Sequence, residues 1–341
     1  MPPKKNNRVK NRNGATLGIE NELREAAEKL QQSRGAMKTR SPMDIDALDR
    51  FLNAVGSDSP NLIFYPGNLK AVYHYTDLNG LQGIVTNHDL WLTHSRYSND
   101  DEELTHGFRI ARETIEGMRA EADDRKRRFY LNRVADLFKV PSAEGAYICC
   151  FCEKNDLLSQ WRSYSANGTG VSIAFNPMDF SYITGIDSPR SGLVRLWKVI
   201  YDRERQKSLV RTIIDFAYSD QSQPSIGLGK RAAQAADAID FFIPTFKNQD
   251  FAEEQEIRLI FTPLPSASAK PQFRVSRGRL VPYYSLRELD GRTSPRTLPI
   301  NSVRVGPSVN KTLNLESARM LLNKAGYTSV TVDGSATPYR G

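Results

Sequence analysis

Cysteine is scarce: the chain has three, Cys149, Cys150 and Cys152, and all lie together. Neighbours this close on one strand cannot form an ordinary disulfide, and no distant cysteine offers a partner. Such usage fits a reducing cytoplasm. A structural zinc would need a fourth ligand, and there is neither a second CxxC nor a downstream histidine pair, so no metal is expected. Long apolar runs are missing as well. None approaches the ~20 residues needed to cross a bilayer, so no membrane role is expected. No GxGxxG or Walker pattern occurs, which removes the Rossmann and P-loop readings. Acids are absent before Glu20, whereas Lys4, Lys5, Arg8, Lys10 and Arg12 precede it. The net charge is +8, so those five cations leave +3 for the remainder. With no apolar segment behind it, this basic start does not read as a secretory signal. It reads as a disordered tail, residues 1–15, suited to nucleic acid or another polyanion, or else as a solubilising terminus.

What is present describes a globular protein: 341 residues, 39% hydrophobic and 25% charged. Residues 18–36 have helical periodicity, and a second helix is expected at Met43–Val55. Residues 16–60 are thus expected to form a helical extension, closed by the linker Ser57-Asp-Ser-Pro60. The main domain is expected over 61–341. Strands are expected at 71–75, 89–93, 145–152, 170–175, 193–201, 256–261, 279–284, 301–305 and 329–332. Helices are expected at 78–87, within a long polar stretch 100–139, and at 205–218, 230–246 and 314–325. Strands interrupted by helices of unequal length, without regular alternation, predict an α+β fold.

Residues 72–76 read Val-Tyr-His-Tyr-Thr and are followed by an Asp77 cap and a short amphipathic helix. The strand delivers one imidazole, His74, to a change of chain direction, where sites are often built. A hydrogen-bonded, inert strand histidine is the competing reading. Around Arg96-Tyr-Ser-Asn-Asp-Asp-Glu-Glu103, Asn99 or Asp100 caps a helix, and Asp100 with Glu103 is a candidate metal pair. In Ser159-Gln-Trp-Arg-Ser-Tyr164, Trp161 and Tyr164 flank Arg162, an arrangement that could sandwich a nucleobase or nicotinamide, or simply pack. In Phe251-Ala-Glu-Glu-Gln-Glu-Ile-Arg258, strand alternation would put Glu254, Glu256 and Arg258 on one face. Paired carboxylates suit general-base work or stabilisation of a developing cation; an ion pair to Arg258 is the alternative.

In this order, Tyr73-His-Tyr-Thr76, Leu90-Trp-Leu92, Asn99-Asp100 with Glu103, Gln160-Trp-Arg-Ser-Tyr164 with Gly170-Val-Ser-Ile173, Glu254-x-Glu256-x-Arg258, Val305-Gly-Pro307 and Ser335-x-x-Pro-Tyr-Arg340 resemble the bacterial domain-of-unknown-function family 2971. The opening strand, helix and "LW" strand are in turn similar to the ADP-ribosyltransferase-like superfamily, which includes the DarT toxins and the RNA 2′-phosphotransferases. That resemblance implies a split β-sheet core with covering helices. It also implies a cytoplasmic enzyme that uses NAD as substrate and modifies a macromolecular acceptor, of the toxin or phage-defence kind. Glu256 would stabilise the ribosyl cation, Glu254 would orient or deprotonate the acceptor, and His74 would hold the ligand. Tyr75, Thr76, Tyr97, Trp161, Arg162 and Tyr164 would contact NAD. The rival classes are a non-catalytic nucleic-acid-binding or sensor domain, and a metal-dependent nuclease using Asp100, Glu103 and Glu256. Convergence of His74 and Glu256 in one cleft separates them.

Overall fold

A computed structural model describes residues 45–58, 69–97, 102–138, 145–182, 192–263, 269–276, 278–289 and 297–338. All of them belong to the compact unit Pro42–Gly341. The basic tail, the expected helix 18–36 and the Asn99–Asp100 cap lie outside the described residues.

The fold is α+β. Its strands are β1 (Val72–Thr76), β2 (Trp91–His94), β3 (Tyr147–Cys152), β4 (Val171–Phe175), β5 (Gly192–Lys198), β6 (Glu256–Pro263), β7 (Gln272–Ser276), β8 (Arg279–Ser285), β9 (Ile300–Val305) and β10 (Thr331–Gly334). The helices are α1 (Ile45–Asp58), α2 (Leu78–Asn87), α3 (Glu102–Glu121), α4 (Arg125–Leu137), α5 (Leu158–Tyr164), α6 (Arg203–Ser219), α7 (Leu228–Phe242), α8 (Leu286–Leu289) and α9 (Lys311–Lys324). All ten strands join one mixed, open sheet. Its main path runs β10-β9-β4-β1-β3-β2-β8-β7, and β6 and β5 branch from β3. Among the described residues only the β9–β10 ladder is parallel.

The branch is the distinctive feature. Strand β3 pairs with β6 along its whole length, from Tyr147–Phe261 to Cys152–Glu256. Its other edge is divided: β2 takes Tyr147 and Ile148, and β1 takes Cys152. The sheet therefore forks, and among the described residues the middle of β3 has no strand on that side.

Both faces are covered, which explains why β4 and most of β6 are buried without alternation. On one face α1, α3, α4, α6 and α7 pack around Ile148, Trp197 and Ile260. Helix α1 contributes Leu48, Phe51, Leu52 and Val55, with the Phe51 ring 5.7 Å from both Phe216 and Phe242. On the other face α2 and α9 cover Val72, Ile173, Ile257, Phe261 and Val303. The stretch expected as one polar helical region is two helices. Asp124 breaks it by accepting from Arg127 N–H at 2.8 Å, capping α4. The strand expected near 279–284 is the second arm of a hairpin whose first arm, β7, reads poorly because its apolar side chains Phe273 and Val275 are exposed. Among the described residues no helix is long and apolar enough to cross a membrane.

Gly170 enters β4 where β1 ends. A Cβ there would lie 2.1 Å from the Thr76 carbonyl oxygen, a backbone atom that cannot swing aside. We expect Gly170→Ala to destabilise the fold by roughly 1–3 kcal/mol. A urea unfolding curve with unchanged midpoint would contradict this close approach.

Candidate functional site

Glu254 and Glu256 do come together, but not by strand alternation. Glu254 ends a 3₁₀ turn, Gln249–Glu254, and Gln255 is left-handed at φ 45° before β6 begins. Lys247 joins the two carboxylates. Its ammonium donates to Glu254 Oε2 at 2.6 Å and Glu256 Oε2 at 3.0 Å, and the lysine is only 2% exposed. Arg258 closes the other side of Glu256, with Nε to Oε1 at 2.7 Å and Nη2 to Oε2 at 2.8 Å. Arg258 Nη1 donates to the Pro244 carbonyl at 2.8 Å. Tyr164 donates its hydroxyl to Glu254 Oε1 at 3.1 Å, and Glu256 N–H donates to the Tyr201 oxygen at 2.9 Å. Two acids and two bases thus form a buried, neutral cluster in which both oxygens of Glu256 are occupied.

Electrostatics agree with the geometry. Burial alone would raise the Glu256 carboxyl. The Arg258 charge and hydrogen bonds, then Lys247, more than reverse this and hold it at about 2 against an ordinary 4.5. Burial, followed by the neighbouring Glu254 charge, raises the Tyr164 phenol.

His74 is elsewhere. Cross-strand partners share a face, so Tyr73, Cys152 and Glu256 lie on one side of the sheet. His74 points to the opposite side, where its ring meets Phe151 at 5.8 Å. Its Nδ1 lies 2.8 Å from the Cys150 carbonyl oxygen. That carbonyl sits in the fork, where β3 lacks a strand partner, and the imidazole fills the gap. A carbonyl can only accept, so Nδ1 carries the proton. Burial lowers the pKa of His74, partly offset by this bond.

The aromatic candidates divide as well. Trp161 is fully buried, donates Nε1–H to Asp156 Oδ1 at 2.6 Å, and packs edge-on to Tyr75 at 4.9 Å. Tyr75 donates its hydroxyl to the Lys154 carbonyl and accepts from Leu157 N–H. These rings tie α5 to β1. Tyr97 follows β2, edge-on to His94 at 5.6 Å. Thr76 ends β1, on the His74 side, and Arg162 is exposed on α5. Asp100 lies outside the described residues, and so does the Glu103 side chain. Among the described residues no group of three His, Cys, Asp or Glu side chains forms a metal-like cluster. A cavity of about 490 Å³ lies between α3 and α4, lined by Arg112, Ile115, Arg119, Asn132 and Phe138, none of them a predicted site residue.

Sequence reasoning missed Lys247, Tyr201 and Asp156. Lys247 did carry a signal: it is a lone cation directly after Phe241-Phe-Ile-Pro-Thr-Phe246, an apolar run that buries whatever follows it. Asp156 accepts from Trp161, Ser335, Thr337 and Ala336 N–H, three of them some 180 residues away, which no local pattern reveals.

The chain is thus an α+β protein with a forked sheet and a buried ionic cluster. Residues 160–259 match a family described as "Protein of unknown function (DUF2971)". The match runs from α5 to the start of β6 and contains Tyr164, Lys247, Glu254, Glu256 and Arg258; His74 lies before it. No curated protein and no solved structure matches the chain.

Two substitutions test this geometry. Glu256→Gln leaves two buried cations facing one carboxylate, so stability should fall by roughly 3–5 kcal/mol in urea unfolding. The sign of the pH effect follows from the lowered pKa: the stabilisation from Glu256 is complete above about 4.5 and is lost as pH falls towards 2. His74→Phe orphans the Cys150 carbonyl and should cost about 1–3 kcal/mol. Because the folded state disfavours the imidazolium, wild-type stability should also begin to fall as pH drops below 6.5, and His74→Phe should remove that component. A Glu256→Gln protein as stable as wild type would rule out the ionic cluster as a structural element.

Proposed function

We propose that this chain is a nucleic-acid-binding or sensor module that does not turn over NAD. The observation carrying this reading is the division of the expected catalytic groups. His74 and Glu256 face opposite sides of the sheet, and Glu256 is clamped by Arg258 and Lys247. A carboxylate that must stabilise a ribosyl cation needs a free face towards the sugar. Glu256 spends its charge on two buried cations instead. The excess of positive charge, with five cations ahead of the first acid, supports a polyanionic ligand.

One observation favours a second reading, an NAD-dependent ADP-ribosyltransferase-like enzyme of the cytoplasm. The sheet forks beside His74, and a split sheet is what that resemblance implies. In that reading Glu254, less buried than Glu256, would act on the acceptor, with Tyr97 and Arg162 as the accessible NAD contacts.

One pair of measurements separates them. Purified full-length protein is incubated with labelled NAD and cell extract, and separately titrated with oligonucleotides between 50 and 200 mM salt. We expect NAD loss no greater than in the blank. We also expect nucleic-acid binding whose slope of log affinity against log salt flattens by about four units when residues 1–15 are deleted, at roughly 0.7–0.9 per phosphate contact. NAD consumption by the wild-type protein above the blank would establish the enzyme reading instead.

A further inference from the structure

Helix α4 begins Arg125-Lys-Arg-Arg128, four cations in the first turn with no acid among them. Cations there oppose the helix dipole, by about 0.3–1 kcal/mol each at an exposed site. The fold uses only part of this charge. Arg127 pairs with Asp215 and lies over the Tyr218 ring at 4.5 Å, and Arg128 donates to the Ala122 carbonyl at 2.9 Å. Arg125, Lys126 and Arg133 are exposed and have no ion-pair partner among the described residues.

Phe129 stands among them, 59% exposed. Helical spacing puts Arg125 one turn before it and Arg133 one turn after, with Lys126 three residues away. The apolar side of the same helix, Tyr130, Leu131 and Val134, is already buried in the core. An exposed phenyl ring between unpaired cations satisfies no requirement of packing. The adjacent cavity does not account for it either, since Phe129 is not among its lining residues, and Arg119 there pairs with Glu116.

We propose that this face of α4 docks a single-stranded nucleic acid, with phosphates on Arg125, Lys126 and Arg133 and a base stacked on Phe129. The inference rests on the nucleic-acid reading above and names its surface. A single strand fits better than a duplex, because a duplex hides the base faces that a ring can stack on. It also fits better than a membrane. An interfacial helix needs a broad free apolar face, and α4 offers one ring.

The test is fluorescence anisotropy of the full chain with labelled oligo(dT) and with a duplex of equal length, from 50 to 200 mM salt. Arg125→Gln/Lys126→Gln/Arg133→Gln should flatten the salt slope by about two units, at roughly 0.7 per contact on a single strand. Phe129→Ala should weaken oligo(dT) binding by roughly 5- to 150-fold without changing the slope. All four positions are exposed, so neither variant should melt below wild type. If wild type binds oligo(dT) and both variants bind equally well, α4 is not the docking face, while the nucleic-acid reading survives. If no oligonucleotide binds the wild type, that reading itself falls. Binding to phosphatidylserine vesicles in place of oligo(dT), lost in the triple variant, would overturn the inference in favour of a lipid surface.

Discussion

Strand β3 is shared between more neighbours than a strand has edges. One edge belongs wholly to β6, while the other is divided between β1 and β2. A buried strand cannot leave backbone groups unpaired without a penalty of about 1–3 kcal/mol each. The fork therefore needs a side chain that reaches a carbonyl at strand spacing, and His74 supplies it through Nδ1 to Cys150. The same division lets α5 and the segment around Ser335 cover β1 and β4, while the large helical layer covers β5 and β6.

The ionic cluster follows from that arrangement. Glu256 enters β6 opposite Cys152, facing the side on which the helical layer packs. A buried carboxylate survives there only if paired, and two cations converge on it from different places. Arg258 comes from two residues along the same strand. Lys247 comes from the end of the apolar run after α7, held by Gln206, which donates to the Lys247 and Ile200 carbonyls. The cluster thereby links α6, the segment after α7, and β6. Its charges cancel, so it fixes geometry without attracting a charged ligand.

Much of the architecture could be read from local signals. The apolar β-branched runs of β1, β3, β4 and β6 and the periodicity of α6, α7 and α9 lie close to where the pattern put them. The exposed hairpin arm β7 and the break at Asp124 were harder, since one lacks a core-facing alternation and the other interrupts an evenly polar stretch. Site geometry was less legible. Alternation places Glu256 and Arg258 correctly on one face because both belong to one strand. It says nothing of His74, whose side relative to Glu256 depends on the register between β1, β3 and β6. A shift of one residue in either ladder would have put the two on the same face. The surroundings of Trp161 and Tyr75 were illegible for a related reason: their partners, Asp156 and the Lys154 carbonyl, come from a loop whose course is set by contacts near residue 335.

The distribution of charge leads to the same division between structure and ligand. Some helix starts follow the dipole: Asp202 caps α6 with Glu204 in its first turn, α1 has Asp46, and Asp124 caps α4, although α4, α7 and α9 have no acid in the first turn. Cations inside the core are matched by acids, as at Lys247, Arg258 and Glu256. Surface arginines on α6 pair with acids on α3 across the helix interface, Arg203 with Glu113 and Arg211 with Glu121. Against this pattern of local neutralisation, the start of α4 keeps charge that the fold does not use. A local excess of one sign, here beyond what Asp123 and Asp124 offset, raises the local concentration of the opposite one. The exposed Phe129 ring within that field adds a contact of short range and defined geometry. Long-range attraction to phosphate and short-range stacking on a base are complementary demands of one ligand class, and α4 meets both on the same two turns.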